Sequence, residues 1–231
     1  MVLKGLQKLT LLDFPGKMAA TVFTGGCNFR CPFCHNGSLV IPERFGETLP
    51  EEEFFAFLNK RRGILEGVCV SGGEPTLYND LPDFIRKIRE YGFLVKLDTN
   101  GSRPDVLEYL IGEGLIDYVA MDIKSSKEGY GKAIGIDNFD TAYIEKSVEI
   151  LKKCKVDFEF RTTVVKELHS EEDFEAIGNW LSGDYKIFLQ TFIDSGDLIS
   201  SGCSAHSEKD MKSFVEILKK YMPNAALRGL N

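Results

Sequence analysis

Three cysteines, Cys27, Cys31 and Cys34, fall within eight positions of the stretch GGCNFRCPFCHN, residues 25–36, and no fourth cysteine lies near them. The spacing is C-x3-C-x2-C. Clustered thiols in a disulfide-poor setting bind metal or do redox chemistry. Zinc completed by His35 is one option, but Cys34 and His35 are adjacent, and neighbouring residues rarely both point at one tetrahedral ion. A CPFC dithiol is another, and it leaves Cys27 without a role. Unrelated exposed thiols this close together would be prone to oxidation. A [4Fe–4S] cubane gives the missing ligand a purpose: three thiolates hold three irons, and the fourth iron stays open to bind and reduce a small molecule.

Other chemistry-bearing residues recur at regular places. SGGEP (71–75), LDTNG (97–101), MDIK (121–124), RTTV (161–164) and QTF (190–192) each close a short β-branched or apolar run. Those runs predict strands at 19–24, 67–71, 94–98, 118–122, 158–164 and 186–191. Amphipathic patterns between and after them predict helices near 51–61, 80–91, 104–113, 140–153, 171–182 and 207–221. TLPE (48–51) and SEED (170–173) place a hydroxyl three residues before an acid, a start signal for two of these helices. Six βα units in series predict a parallel sheet covered by helices, with ligands gathering at the carboxyl ends of the strands. Periodicity does not say whether the sheet closes.

The chain has 231 residues, 43% hydrophobic and 27% charged, within the range of a globular α/β protein. No apolar run reaches the roughly 18–20 residues that cross a bilayer, and the N-terminus lacks a signal-peptide pattern, so a cytoplasmic protein without a membrane partner is expected. A net charge of −7 with no long basic run argues against nucleic acid.

The cysteine motif, with Phe33 before its last thiol, resembles the signature of the radical S-adenosylmethionine enzymes. SGGEP is similar to that family's glycine-rich motif, and LDTNG and MDIK resemble the subset that activates glycyl radical enzymes. The opening LQKLTLLDFPGKMAATVFTGGCNFRCPFCHN, the QTF strand and the closing PNAALRG resemble the branch of anaerobic ribonucleoside-triphosphate reductase activating proteins. The resemblance implies a single radical S-adenosylmethionine domain over 1–231, built as an α/β partial (βα)6 TIM-like barrel. It implies that Cys27, Cys31 and Cys34 hold a catalytic [4Fe–4S] cluster, and that reductive cleavage of S-adenosylmethionine gives a 5′-deoxyadenosyl radical. That radical would take hydrogen from a glycine of a partner enzyme, with flavodoxin or ferredoxin as electron donor.

The candidates for the cofactor are Phe33, Gly72, Gly73, Glu74, Asp98, Asn100, Lys124 and Arg161, of which Asn100 would line the adenosyl pocket or supply the NG turn. Gly72 and Gly73 would let backbone approach the ligand closely, and Glu74 would face its ammonium or cap the next segment. An acid suits the methionine ammonium and a lysine its carboxylate, so Asp98 and Lys124 are complementary. Arg161, in a strand that is otherwise apolar, needs a partner if it points inward. In related activating enzymes the counterparts of Asp98, Thr99 and Asp122, with a backbone carbonyl, surround a monovalent cation, so the resemblance implies a Na⁺ or K⁺ site here. His35 is a candidate contact for cofactor or partner. Cys69 is expected to be buried, Cys154 to end a helix, and Cys203 with His206 to lie in a loop. A radical enzyme acting on a small molecule, such as a deazapurine-forming synthase, and an iron–sulfur electron carrier are the competing functions. The carrier would leave the glycine and DIK motifs idle.

Overall fold

β-Branched and apolar runs form strands where both faces of a sheet can be covered, and here both are. The computed structural model describes residues 1–229. Its sheet has eight strands in sequential order: β1 (Leu3–Thr10), β2 (Ala19–Thr24), β3 (Gly67–Gly72), β4 (Leu94–Thr99), β5 (Tyr118–Asp122), β6 (Asp157–Val164), β7 (Lys186–Thr191) and β8 (Asn224–Arg228). From β2 to β8 every neighbour is parallel; β1 alone runs antiparallel, against β2. Among the described residues β1 and β8 are the two edges of the sheet, so the curved sheet is a partial, open barrel.

The helices are α1 (Gly37–Val40), α2 (Glu51–Arg61), α3 (Leu81–Glu90), α4 (Pro104–Gly112), α5 (Tyr130–Ile134), α6 (Ala142–Lys153), α7 (Glu171–Leu181) and α8 (Glu208–Lys219). They form the outer layer. In α3 the spacing of Leu81, Phe84, Ile85 and Ile88 makes one stripe, and all four are buried. Phe84 stacks on Phe54 of α2 with centroids 5.4 Å apart, and Phe174 of α7 on Phe214 of α8 at 4.5 Å. Each such side chain contributes roughly 1.5–3 kcal/mol by leaving water.

The six expected strands and six longer helices are present, within two residues at each end. Two strands are additions. β1 carries lysines and glutamine because it is an exposed edge, and β8 (NAALR) is alanine-rich, so neither has a strand-like composition. Helix starts divide in the same way. Ser170 accepts from the Asp173 N–H while Asp173 accepts from the Ser170 N–H, a complete capping box, and Ser207 and Asp210 repeat it. Thr48 is a correction: α2 begins after Pro50, which has no side-chain cap, and the Thr48 hydroxyl accepts from Lys4 Nζ instead. No described helix is long and apolar enough to cross a membrane.

Candidate active site

The loop after β2 brings the cysteines to the carboxyl end of the sheet. Gly26 N–H donates to the Leu39 carbonyl, and Cys34 N–H to that of Cys31, turning the loop back on itself. A strap formed by 192–206, which carries no periodic signal, braces it from outside. Ile199 and Ser200 donate to the carbonyls of Cys34 and Pro32, Ser195 Oγ to that of His35, and Asp197 accepts from Gly37 and Ser38 N–H groups. Cys31 is buried, and Cys27 and Cys34 are half-buried. Burial pushes the Cys27 thiol up to about 11 and the Cys31 thiol to about 12, and raises Cys34; the Lys124 charge opposes each shift. Such thiols keep their protons until metal displaces them.

All three thiols face one cavity of about 240 Å³, together with Phe33, His35, Ser71, Gly72, Gly73, Asp98, Thr99, Asn100, Asp122, Lys124, Arg161 and Gln190. The donor set suits a cluster. Three sulfurs can each take a different iron, and among the described residues no three His, Cys, Asp or Glu side chains converge on a single ion. A second cavity of about 320 Å³ adjoins the first and shares His35, Thr163 and Gln190 with it.

The two glycines are needed for a reason other than ligand approach alone. A Cβ on Gly72, at φ +117°, would lie 2.3 Å from the Thr24 nitrogen, and one on Gly73 would lie 1.9 Å from the Gly26 oxygen. Gly73 and Glu74 donate to the Thr24 and Gly26 carbonyls across that contact. The pair lets the SGGEP loop lock against the cysteine loop.

Glu74 stands behind the cavity wall, fully buried. Its carboxylate accepts from the Thr76 N–H and hydroxyl, the Thr99 hydroxyl and the Asn100 N–H. Of the two roles open to it from the sequence, facing an ammonium or capping the next segment, its contacts fit the second: it caps the turn at Pro75–Leu77 and ties the SGGEP loop to LDTNG. Burial raises its carboxyl above the usual range, against those hydrogen bonds. Asn100 Nδ2 donates to Asn28 next to Cys27, and so joins LDTNG to the cysteine loop.

Charged residues line the inward face of the strands. Asp122 of β5 and Arg161 of β6 are register partners, and Arg161 Nε donates to Asp122 Oδ1 at 3.0 Å. The guanidinium also reaches Asp98 Oδ2 on β4 at 3.4 Å. Ala120, paired with Asp98 in register on the strand between, is small enough to leave that path open. Lys124 Nζ donates to Asp122 Oδ2 at 2.9 Å. Ser71 Oγ and Lys96 Nζ complete the donors to Asp98. Burial opposes every one of these charges, yet the opposite charges prevail. They hold Asp98 and Asp122 below the usual carboxylate range and Lys124 and Arg161 above their ordinary values.

Lys96 escaped the sequence reading. It sits two residues before Asp98, where strand alternation puts both on one face, and that spacing was the available signal. Glu159 is a second buried charge that was missed; it accepts two bonds from Arg228 and one from Tyr118 deeper in the barrel. Cys69 is buried, Cys154 caps the end of α6, and Cys203 lies in the strap. His206 bonds the His169 carbonyl and packs on Phe214, outside the cavity.

Residues 21–181 match the family model of the radical SAM superfamily. A Methanocaldococcus jannaschii protein assigned by name as a glycyl-radical enzyme activating enzyme is 34% identical over all of this chain and 97% of its own. A Thermococcus kodakarensis protein assigned as a GTP 3′,8-cyclase is 32% identical over 67% of this chain, which spans only 50% of that relative. Among solved structures, Streptococcus suis SuiB bound to S-adenosylmethionine superposes with a TM-score of 0.70 at 15% identity, over 90% of this chain and 49% of SuiB.

Proposed function

Because this chain belongs to the radical SAM superfamily, we propose that it is an activating enzyme that installs a glycyl radical on a partner protein, with an anaerobic ribonucleoside-triphosphate reductase as that partner. The full-length similarity to the M. jannaschii protein supports the activating role. One observation carries the site: three thiols without a fourth share a cavity with the strand-end charges.

We assign Cys27, Cys31 and Cys34 to a [4Fe–4S] cluster and the remaining cavity to S-adenosylmethionine. Together these groups supply a reductive cleavage that yields a 5′-deoxyadenosyl radical, and the protein supplies placement and exclusion of water. Lys124 pairs with the methionine carboxylate, its ammonium having three N–H donors of which Asp122 takes one. Asp98 and Arg161 set the charge beneath the ligand. Gly72, Gly73 and Asn100 form the wall against it, and Phe33 packs beneath the thiols. The adjoining cavity, lined by Thr191, Ile193, Ser195 and Arg228, gives an extended glycine loop a path to the reacting end. Flavodoxin or ferredoxin serves as electron donor.

The test mixes the reconstituted, reduced protein with an anaerobic ribonucleotide reductase. A doublet glycyl radical signal in electron paramagnetic resonance is expected, with one 5′-deoxyadenosine per radical. No signal should appear when the radical glycine is replaced by alanine. If no radical forms on the intact reductase, that partner is wrong, and a small-molecule substrate, as in the GTP cyclase relative, takes its place.

A further inference from the structure

Lys96 is a lysine with 1% of its surface exposed, inside the barrel, and the reaction as described does not use it. Its ammonium donates to Asp98 Oδ1 and lies 3.8 Å from Cys69 Sγ, on the neighbouring strand. Burying an ammonium is costly unless it is paired and serves some end.

The surroundings of Asp98 and Asp122 indicate what that end is. Asp98 accepts from Lys96, Ser71 and Arg161, and Asp122 from Arg161 and Lys124. Two carboxylates therefore already meet three protein cations. If Lys124 is given to a ligand carboxylate, Lys96 and Arg161 balance Asp98 and Asp122 one to one. A further alkali ion would leave an uncompensated charge in a low-dielectric site. Thr99 argues the same way. Its hydroxyl donates to Glu74 Oε1 at 2.8 Å and accepts from Gly101 N–H at 3.1 Å, so it is committed behind the wall. The donor set expected for Na⁺ or K⁺ does not fit such an ion here.

We propose that the fold's own cations, the Lys96 ammonium on Asp98 together with the Arg161 guanidinium that spans Asp98 and Asp122, supply the positive charge that the resemblance assigns to a Na⁺ or K⁺ ion at these aspartates. Lys96 is then a positioning residue. It acts through Asp98 and makes ligand binding independent of alkali ions. Its affinity readout rests on the S-adenosylmethionine assignment; its stability readout does not.

The experiment compares wild type with Lys96→Met and Lys96→Arg in KCl, in NaCl and in N-methylglucamine chloride, whose cation is too bulky to enter, at a constant ionic strength of about 0.1 M. S-adenosylmethionine affinity is measured by calorimetry on the cluster-loaded protein, and thermal melting is followed without cofactor. Wild type should bind equally in all three salts, within about twofold, and melt alike. Lys96→Met should bind roughly 10–100-fold more weakly in N-methylglucamine chloride. K⁺ or Na⁺ should recover at least about tenfold of that loss and raise its melting midpoint by about 2 °C or more. Lys96→Arg should stay ion-independent. A purely structural lysine would show no rescue by an alkali ion. If Lys96→Met does not fold in any salt, Lys96→Gln carries the same comparison. The proposal is overturned if wild type gains affinity or melting temperature from K⁺ or Na⁺, or if Lys96→Met matches it in N-methylglucamine chloride. Failure of every variant to bind S-adenosylmethionine would reject the functional assignment, and the melting series would still decide the role of Lys96.

Discussion

The cavity has two unlike walls. On the cysteine loop three thiols, held protonated by burial, meet no paired charge and at most a weak N–H donor such as that of Phe29 at Cys27, on a backbone clamped by the 192–206 strap. On the strand ends the groups are already paired, Lys96 with Asp98, Arg161 with both aspartates, and Lys124 with Asp122. In the proposed function the first wall is completed by a metal cluster, and the second, assembled by folding, by a ligand carboxylate at Lys124. An assembly site for a labile inorganic group needs ligands that wait, whereas a site that selects a zwitterion needs charges fixed in advance.

The largest effect should come from the waiting wall. Replacing Cys27, Cys31 or Cys34 with alanine should abolish cluster assembly, measured as iron and sulfide content after anaerobic reconstitution; the same change at Cys69, Cys154 or Cys203 should leave it intact. Full iron content in Cys31→Ala would undo the distinction between the walls.

Next is the centre of the paired wall. Arg161→Leu leaves Asp98 and Asp122 short of a partner and should cost about 3–5 kcal/mol, lowering the melting midpoint on the order of 10 °C. The pH dependence carries a sign. In wild type both carboxyls are depressed, so their stabilisation is complete above the unfolded value near ~4 and is lost only as the pH falls through the lower folded values. Without Arg161, Asp98 keeps Lys96 and Asp122 keeps Lys124 while burial still opposes their charge, so the folded carboxyl values rise and the variant's deficit should shrink as the pH falls below about 5. A deficit constant over that range would mean that the arginine acts through packing.

Lys124→Ala should weaken S-adenosylmethionine binding by about 1.5–3 kcal/mol while the cluster still assembles. Calorimetry giving unchanged affinity would remove Lys124 from the ligand side. The smallest effect lies outside both walls. Ser207→Ala breaks one of the two capping boxes and should cost about 1 kcal/mol in denaturant unfolding, with cofactor affinity unchanged.

Much of this organisation is local in origin, and that is why it can be read along the chain. Strand alternation, the stripe of α3, the Ser170 box and the C-x3-C-x2-C spacing each depend on residues within a few positions of one another. The six-strand repeat then requires strand-end loops to share one face, which places Cys27, Gly72, Asp98, Lys124 and Arg161 together before any coordinates are known. What tertiary structure decided is the partner of each polar group. Glu74 is turned from the ligand to Thr76, Thr99 and Asn100 because the SGGEP loop packs against two others at once. Thr48 is taken by Lys4 rather than by a helix end. β1 and β8 are strands because neighbours offer them a ladder. Lys96 looks like an ordinary surface lysine in VKLD, yet the register of β3 and β4 encloses it with Cys69 and Asp98. Hydrogen bonds and ion pairs between residues tens of positions apart depend on distances that only the closed packing of the chain sets.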